Sequence, residues 1–242
     1  MHVVALVPAA GRGTRLGADM PKALVPVLGE SLLLRAVRGL LGSGSVHHVV
    51  VAAPPEQLGR MEHELAELGD RVQVVPGGDE RTDSVRAALD AAERFVPTAE
   101  VVLVHDAARA FTPAEVIRAV VAEVAAGACA VVPVLPVADT LKRVDEDGTV
   151  LSTVDRSPLR TVQTPQAFTP EVLGEAYARS RDVATDDAGL VERAGHPVRT
   201  VPGHSHALKI TTSFDLAVAE TVLAPAHDSE SEVYAESDPP GA

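Results

Sequence analysis

The sequence predicts an α/β fold in which helices cover both faces of a mostly parallel central sheet. Short, almost continuously apolar runs alternate along the chain with longer amphipathic stretches. Runs without a polar alternate position are typical of parallel strands buried on both faces, and their alternation with helices predicts a Rossmann-like three-layer sandwich. A change of pattern after Val134 predicts an inserted β-hairpin arm. Ligands bind beyond the carboxyl ends of the strands in such sheets, so functional residues are expected just after the apolar runs.

The apolar runs have the length of buried strands, and the stretches between them have the spacing of amphipathic helices. The predicted strands are residues 3–7, 49–53, 72–75, 101–104 and 130–134, and the helices among them are residues 31–41, 57–68, 83–95 and 113–126. Further helices are expected at 170–180, 186–194 and 214–223, with a last strand at 207–211. This order predicts one domain, residues 1–225.

The arm is predicted at about residues 136–158, where turn signals and alternating polar and apolar residues replace the apolar runs. The dipeptide Asp147-Gly148 between two such alternating segments favours a β-hairpin turn. A hairpin of this length inserted in an α/β domain is either a lid over its own site or an arm that embraces a partner subunit.

Composition excludes several classes of protein. Twenty-one basic residues face 34 acidic ones, a net charge of −13 that argues against non-specific binding of nucleic acid. Residues 226–242 add acidic residues without Lys or Arg and are predicted to be a disordered acidic tail. The single cysteine, Cys129, excludes a disulfide framework. Apolar runs fall short of the roughly 20 residues of a membrane span, and no signal peptide is visible, so a cytoplasmic location is expected.

A glycine-rich segment follows the first predicted strand and contains Gly11, Gly13 and Gly17. Such glycines let the backbone approach a ligand and aim N–H groups at phosphate oxygens. Their spacing matches neither the dinucleotide fingerprint G-x-G-x-x-G nor a Walker loop. Arg15 and Lys22 place two cations beside the loop. Nucleotidyl transfer needs such cations, because negative charge grows on the α-phosphate and on departing pyrophosphate.

Lysine is used sparingly in this chain. Only Lys22, Lys142 and Lys209 occur among the 21 basic residues, so the other 18 are arginines. A lysine ammonium is a compact point charge that arginine does not replace freely. Each lysine lies in a segment that carries another motif, which favours a functional reason for keeping it.

Residues 7–24, with Pro8-Ala9-Ala10-Gly11 and Met20-Pro21-Lys22-Ala23-Leu24, resemble the signature of the nucleotide-sugar pyrophosphorylase superfamily. Within it, the chain resembles the 2-C-methyl-D-erythritol 4-phosphate cytidylyltransferase family of the non-mevalonate isoprenoid pathway, over roughly residues 3–224. The resemblance implies that residues 1–225 are a cytidylyltransferase domain. It also implies a Mg²⁺-dependent homodimer that transfers CMP from CTP to a small sugar-alcohol phosphate and releases pyrophosphate, with Arg15 and Lys22 acting in catalysis.

The resemblance extends to a segment, Gly77-Gly78-Asp79-Glu80-Arg81, that links a predicted strand to a helix. Without the resemblance, this segment could simply be a loop with a helix cap. The family pattern implies that the residues around it line the cytosine, ribose and phosphate pocket. The implied CTP-binding residues are Ala9, Ala10, Gly11, Gly13, Gly78, Asp79 and Ser84.

Asp106 follows the predicted strand 101–104 in the sequence His105-Asp106-Ala107-Ala108-Arg109. A carboxylate just past a buried parallel strand lies where α/β enzymes hold a metal, and its hard oxygens suit Mg²⁺. On its own, the residue could equally cap the next helix. Arg109 is close enough in sequence to grip a second phosphate. His105 is interpreted as a structural neighbour, because an attacking phosphate oxygen is already anionic and needs no base.

The resemblance also implies the acceptor site. Thr140 and Arg156 on the arm would bind the acceptor phosphate from the neighbouring subunit, with Thr164 near the same phosphate. Lys209, on the strand predicted at 207–211, would hold the acceptor phosphate and the α-phosphate together. Many relatives carry an acidic or amide residue shortly before this lysine, whereas this chain has His204-Ser205-His206. Asp106 is therefore the one carboxylate ligand that we expect for the metal.

Three alternatives remain open at this point. Close relatives with nearly the same motifs act on ribitol 5-phosphate. A catalytically silent nucleotide-binding module would lose Lys22, Asp106 or Lys209, and all three are present. A dinucleotide-dependent oxidoreductase would need the G-x-G-x-x-G that the first loop lacks. The expected partners are CTP, a sugar-alcohol phosphate and a second copy of the chain, with no nucleic acid and no membrane.

Overall fold

The structure is a computed structural model that describes residues 1–10, 20–179 and 185–222. Gly11, Gly13 and Arg15 lie outside the described residues, as does the tail predicted at 226–242. The strands are β1 (Val3–Pro8), β2 (Pro26–Val27), β3 (Glu30–Ser31), β4 (His48–Ala53), β5 (Val72–Pro76), β6 (Val101–Val104), β7 (Ala130–Pro136), β8 (Leu141–Val144), β9 (Val150–Val154), β10 (Arg160–Val162), β11 (Gln166–Phe168) and β12 (Arg199–Pro202). The helices are α1 (Leu32–Gly42), α2 (Leu58–Leu65), α3 (Arg81–Phe95), α4 (Ala114–Ala125), α5 (Pro170–Arg179), α6 (Asp187–Arg193) and α7 (Ser213–Val222).

The central sheet has the order β10-β7-β11-β6-β1-β4-β5, with β12 paired to β7. Strand β1 pairs in parallel with β4 and β6, and β4 pairs in parallel with β5. The short strand β11 runs antiparallel to both β6 and β7, so these two also share one direction. The carboxyl ends of β1, β4, β5, β6 and β7 therefore lie along one edge, called the carboxyl edge below. The mostly parallel sheet predicted from the sequence is confirmed.

Two apolar clusters, one on each face of the sheet, make the three layers. Alternate residues of β1 divide between them: Val3, Ala5 and Val7 face α1, α2 and α4, whereas Val4 and Leu6 face α3, α5 and α6. The β1 residues of both clusters are fully buried, which accounts for the lack of polar alternation in this run. A third, smaller cluster joins α1 and α7 beside β2.

The arm predicted from the sequence is a hairpin of β8 and β9, which form a separate two-stranded sheet. Gly148 supplies the left-handed backbone that the turn requires, with φ of +81°. The base of the arm closes where Arg160 of β10 pairs with Pro136 of β7. Because β7 runs towards the carboxyl edge, the arm leaves the domain on the side where a ligand is expected.

The prediction of a strand at residues 207–211 is wrong. Residues Ser205–Ala207 form one turn of 3-10 helix, and residues 208–211 are irregular. The place beside β7 is taken by β12, which pairs in parallel from Arg199 with Val131 to Pro202 with Val134. Lys209 therefore lies on a loop, held by hydrogen bonds that are described below. The short strands β2, β3, β10, β11 and β12 were not predicted.

Among the residues that the structure describes, no helix is long and apolar enough to cross a membrane.

Candidate active site

Three loops meet at the carboxyl edge because each one is hydrogen-bonded to the strand next to it. The amide of Ala9, after β1, donates to the carbonyl of Ala52 at 2.8 Å. The amide of Gly77, after β5, donates to Ala53 at 2.7 Å, and the amide of His105, after β6, donates to Leu6 at 2.9 Å. The first residues after β1, β5 and β6 are thus fixed to neighbouring strands of the sheet.

The loops after β1 and β5 touch through small residues. A Cβ atom added to Gly77 would lie 2.9 Å from Ser84 Oγ and 3.2 Å from the Cβ of Ala10. A Cβ on Gly78 would lie only 2.4 Å from that of Asp83. The amide of Gly78 donates to Ser84 Oγ at 3.2 Å, which fixes the buried serine at the start of α3. The structure therefore brings Ala10, Gly78 and Ser84 together, while Asp79 lies on the same loop.

Asp106 is the electrostatic centre of the site. Its side chain is nearly buried, with the residue 9% exposed, and its two carboxylate oxygens face different cations. Lys209 Nζ lies 2.8 Å from Oδ2, and Arg81 Nε lies 3.3 Å from Oδ1. Burial would raise the pKa of Asp106, but Arg81, Lys209 and Arg109 together hold that pKa well below its usual range. The carboxylate is therefore charged throughout the physiological pH range.

Arg81 is itself held by a second acidic residue, Asp187, which is fully buried. The guanidinium forms a two-pronged bond, with Nη1 3.2 Å from Oδ1 and Nη2 2.7 Å from Oδ2. The hydroxyl of Tyr177 donates to the same carboxylate at 2.5 Å. Burial would lower the pKa of Arg81, but the charges of Asp187 and Asp106 raise it above its ordinary value. Removing one partner from such a buried pair costs about 3–5 kcal/mol.

Thr164 holds the backbone of Asp106 in place. The Asp106 amide donates to Thr164 Oγ1 at 3.0 Å, and the same hydroxyl lies 3.1 Å from Nδ1 of His105. Burial lowers the pKa of His105 to about 4, so its imidazole is neutral at pH 7. A neutral, buried imidazole bonded to a threonine supports the interpretation that His105 is structural. Binding of the acceptor phosphate by Thr164, whose hydroxyl is already engaged, stays a prediction.

Arg109 bonds to protein carbonyls. Its Nη1 donates to Ala207 at 2.6 Å and its Nη2 to Val162 at 3.2 Å. Burial lowers the pKa of Arg109, and Asp106 opposes that shift. The guanidinium thus ties the loop that carries Lys209 to β10. Direct binding of a phosphate by Arg109 stays a prediction.

The remaining predicted residues lie in two places. Lys22 begins a single 3-10 turn, Lys22–Leu24, shortly after the glycine-rich segment, and the two residues that follow it are buried. Thr140 and Arg156 lie exposed on the arm, where Arg156 donates to the carbonyls of Val137 and Ala138. Among the described residues, no hydrogen bond or ion pair joins Thr140 or Arg156 to Asp106 or Lys209. Within one chain, the arm does not reach the site through such a contact.

Sequence reasoning missed two members of the charged network around Asp106, which are Arg81 and Asp187. Arg81 stands inside the Gly77–Ser84 segment, so its position at the start of α3 was a usable signal. Asp187 lies 106 positions further along the chain, and nothing in the sequence pairs it with Arg81.

The one carboxylate of Asp106 fits a magnesium ion whose other ligands are phosphate oxygens and water. No group of three or more His, Cys, Asp or Glu side chains that could hold a metal exists in residues 1–10, 20–179 and 185–222. Mg²⁺ commonly takes only one or two carboxylates and completes its shell with phosphates and water. A carboxylate has about four acceptor positions. Lys209 and Arg81 each occupy one on Asp106, so the carboxylate can still coordinate an ion.

A mostly parallel sheet with small-residue loops, the buried Asp106 and fixed cations at its carboxyl edge fits a nucleotidyltransferase, and the comparison with known families bears out this class. The model of the family "IspD: 2-C-methyl-D-erythritol 4-phosphate cytidylyltransferase" matches residues 3–225. The chain belongs to this family.

Curated relatives and solved structures agree with this assignment. A 2-C-methyl-D-erythritol 4-phosphate cytidylyltransferase of Saccharopolyspora erythraea is 71% identical over 224 residues, which cover 93% of this chain and all of that protein. One of Rhodococcus opacus is 55% identical and covers 91% of this chain and 95% of its own length. The crystal structure of the enzyme from Thermus thermophilus superposes with a TM-score of 0.73 at 36% identity, covering 92% and 98% of the two chains.

The low pKa of His105 predicts that stability depends on pH. Free imidazole has a pKa of about 6.5, so the unfolded chain takes up this proton first as the pH falls. Stability from this residue is therefore complete above about pH 6.5 and is lost towards pH 4, the folded value. One unit corresponds to about 1.4 kcal/mol, which gives a loss of about 2 kcal/mol between about pH 6.5 and pH 5.

Urea unfolding at about pH 7 and pH 5, in buffer with EDTA, measures this loss. His105→Asn keeps a polar group towards Thr164 but cannot titrate, so its free energy of unfolding should fall about 2 kcal/mol less than that of the wild type. Equal losses in the two proteins would refute the assignment of this pH dependence to His105.

Proposed function

We propose that this chain transfers CMP from CTP to 2-C-methyl-D-erythritol 4-phosphate, giving 4-CDP-2-C-methyl-D-erythritol and pyrophosphate. This is the activity for which its family and its curated relatives are named. The observation that carries the proposal is the pair of Asp106 and Lys209, 2.8 Å apart at the carboxyl edge, beside the Gly78–Ser84 loop. The pair offers a carboxylate for a metal and an ammonium for a phosphate at one place.

The reaction is a direct displacement at phosphorus. An oxygen of the acceptor phosphate forms a bond to the α-phosphorus of CTP, while the bond from that phosphorus to the bridging oxygen of the β-phosphate breaks in line. The electron pair leaves with pyrophosphate, and no covalent intermediate with the protein forms. The attacking oxygen is anionic at neutral pH, so the protein contributes position and electrostatic stabilisation.

Each predicted residue has one task in this scheme. Arg15 and Lys22 stabilise the charge that grows on the α-phosphate and on pyrophosphate. The acceptor is positioned by Lys209 together with Arg109, Thr140, Arg156 and Thr164. Base, ribose and phosphates are bound by Ala9, Ala10, Gly11, Gly13, Gly78, Asp79 and Ser84.

Lys209 is suited to exchange partners when substrate binds. Its side chain is 44% exposed, so the ammonium can turn from Asp106 to an incoming phosphate without opening the core. Asp106 and the substrate phosphates would hold Mg²⁺, which offsets phosphate charge when bound. We also propose that the protein is cytoplasmic, as expected from the sequence.

The arm supports a homodimer. Its residues Val144, Val150 and Leu151 are 51%, 55% and 60% exposed. Burying apolar side chains lowers the free energy, so this exposure is unfavourable in a single chain. The partner subunit would cover these side chains, and the arm would carry Thr140 and Arg156 into the partner's site. This arrangement explains why substrate-type residues lie on a hairpin that, within the described part of the chain, makes no hydrogen bond or ion pair with its own Asp106 or Lys209.

Pyrophosphate release measured over a matrix of nucleotides and acceptors tests the function. CTP with 2-C-methyl-D-erythritol 4-phosphate should give the highest kcat/KM. Faster turnover of ribitol 5-phosphate would transfer the assignment to the related acceptor. No release with any pair, from protein that melts cooperatively, would indicate a silent nucleotide-binding module.

Asp106→Asn should reduce turnover by about a hundredfold or more, the scale for losing a preorganised electrostatic group. The variant keeps the shape of the side chain but removes the charge that would hold Mg²⁺ against the phosphates. Steady-state rates over a range of Mg²⁺ concentrations measure the effect, and Asp90→Asn, an exposed carboxylate on α3, is the matched control. Ordinary rates at ordinary Mg²⁺ would remove Asp106 from the metal site.

Mixing two inactive variants tests the borrowed arm. Lys22→Ala inactivates the site built on its own chain, whereas Arg156→Ala inactivates the site that its arm reaches. In a mixed dimer, one site then carries both defects and the other carries neither. Random exchange makes about half of the dimers mixed, so about a quarter of wild-type activity should return.

Mass spectrometry of the intact complexes controls for exchange. If each arm serves its own chain, every site keeps one defect and mixing restores nothing. Mixed dimers without recovered activity would therefore rule out the borrowed arm, and a monomer in native mass spectrometry would rule out the dimer.

A further inference from the structure

The loop that carries Lys209 lies outside the central sheet. At one end, the amide of Gly203 donates to Val134 of β7 at 2.9 Å. At the other end, the amide of Ile210 donates to Ala108 at 2.9 Å. Between these two bonds, the position of the loop depends on side chains that reach it from elsewhere in the chain.

The side-chain carboxamide of Gln163 both donates a hydrogen bond to this loop and accepts one from it. Its Nε2 donates to the carbonyl of His204 at 2.9 Å, and the amide of His204 donates to its Oε1 at 3.0 Å. The same Nε2 lies 3.4 Å from the carbonyl of Ala207. A carboxamide both donates and accepts, so it can satisfy the two groups of His204 at once, as an ionised carboxylate cannot.

The backbone of Gly203 lies close against the same carboxamide. A Cβ atom at this position would lie 2.3 Å from Oε1 of Gln163 and 3.1 Å from the carbonyl of Val134. The φ of Gly203 lies outside the left-handed region, so the close contact, and not the backbone angle, disfavours a larger residue here. Gln163 is 5% exposed, and a buried amide with both ends satisfied is a fixed point of the structure.

Adjacent residues hold the two halves of the central ion pair. The amide of Gln163 donates to Pro133 of β7 at 2.8 Å, which fixes its backbone. Its side chain holds the loop that carries Lys209, while the hydroxyl of Thr164 accepts a hydrogen bond from the amide of Asp106. The separation of 2.8 Å between ammonium and carboxylate is therefore set from one short segment.

We propose that Gln163 is a positioning residue, which acts on the reaction by holding the Lys209 ammonium where the acceptor phosphate must bind. Gln163 touches no substrate in this scheme, and the inference rests on the proposed role of Lys209. Arg109 also donates to Ala207, so the loop keeps an attachment when the carboxamide is removed. Loss of Gln163 should therefore displace Lys209 rather than unfold the domain.

The test uses Gln163→Met, which keeps the length of the side chain and removes its three hydrogen bonds to the loop. Because the chain has three lysines, limited acetylation with N-acetoxysuccinimide followed by peptide mass spectrometry measures each ammonium separately. Lys209 should react several-fold faster relative to Lys142 than in the wild type, since it leaves Asp106. Lys142, on the arm and bonded to Thr153, is the reference within the same molecule. This measurement needs no substrate and no activity.

Steady-state kinetics distinguish a positioning role from a general loss of stability. Gln163→Met should raise the KM for the acceptor and lower kcat, each by about tenfold, and leave the KM for CTP within about twofold. Ser43→Ala is the matched control, because its buried hydroxyl donates to Leu40 at 2.6 Å at the end of α1, away from the Lys209 loop. It should lower the melting temperature without changing the labelling ratio.

Gly203→Ala keeps the proposal testable if Gln163→Met does not fold. Its new methyl group collides with the carboxamide, so the labelling ratio should rise in the same direction. An unchanged ratio in folded Gln163→Met or Gly203→Ala would overturn the proposal. A raised ratio with unchanged kinetics would refute the role of Lys209 in the reaction, and with it the positioning role, while leaving the reaction itself to the substrate matrix.

Discussion

A charged carboxylate buried at the end of β6 sets the requirements for the surrounding structure. Removing Asp106 from water disfavours its ionised form, so the fold must supply cations at both oxygens. Lys209 supplies one from a loop and Arg81 supplies the other from the first residue of α3. Arg81 in turn needs a counter-charge, which Asp187 provides from inside the domain. The compensation thus runs from the carboxyl edge into the packed layer of α5 and α6, where Tyr177 completes it.

The parallel sheet turns this requirement into a site. Strands β1, β4, β5 and β6 share one direction, so the residues that follow β1, β5 and β6 lie at one edge, where backbone hydrogen bonds fix them to neighbouring strands. Small residues then let the segments after β1 and β5 approach closely, because a larger side chain at Gly77 or Gly78 would meet Ser84 or Asp83. Most of the work of positioning is done by elements that the core holds in place.

Much of the fold could be predicted because its signals are local. A fully buried run such as Val101–Val104 indicates its strand directly, and Asp147-Gly148 marks its own turn. The segment 207–211 misled because its apolar alternation resembles an edge strand, although β12 already occupies β7. Contacts between distant positions, such as Arg81 with Asp187 and Gln163 with His204, depend on the folded topology. No short window of sequence contains them.

The base of the arm is joined to the same strand that anchors Gln163. Residues Pro136 and Arg160 close that base, and Gln163 follows three positions later, bonded to the same strand β7. A displacement of the hairpin would therefore act on the Lys209 loop through β7 and β10, to which the segment before Gln163 is paired. In the dimer proposed above, assembly and the position of Lys209 would both depend on this segment, so substitutions at the base of the hairpin would act on both, whereas substitutions at its tip would act on assembly alone.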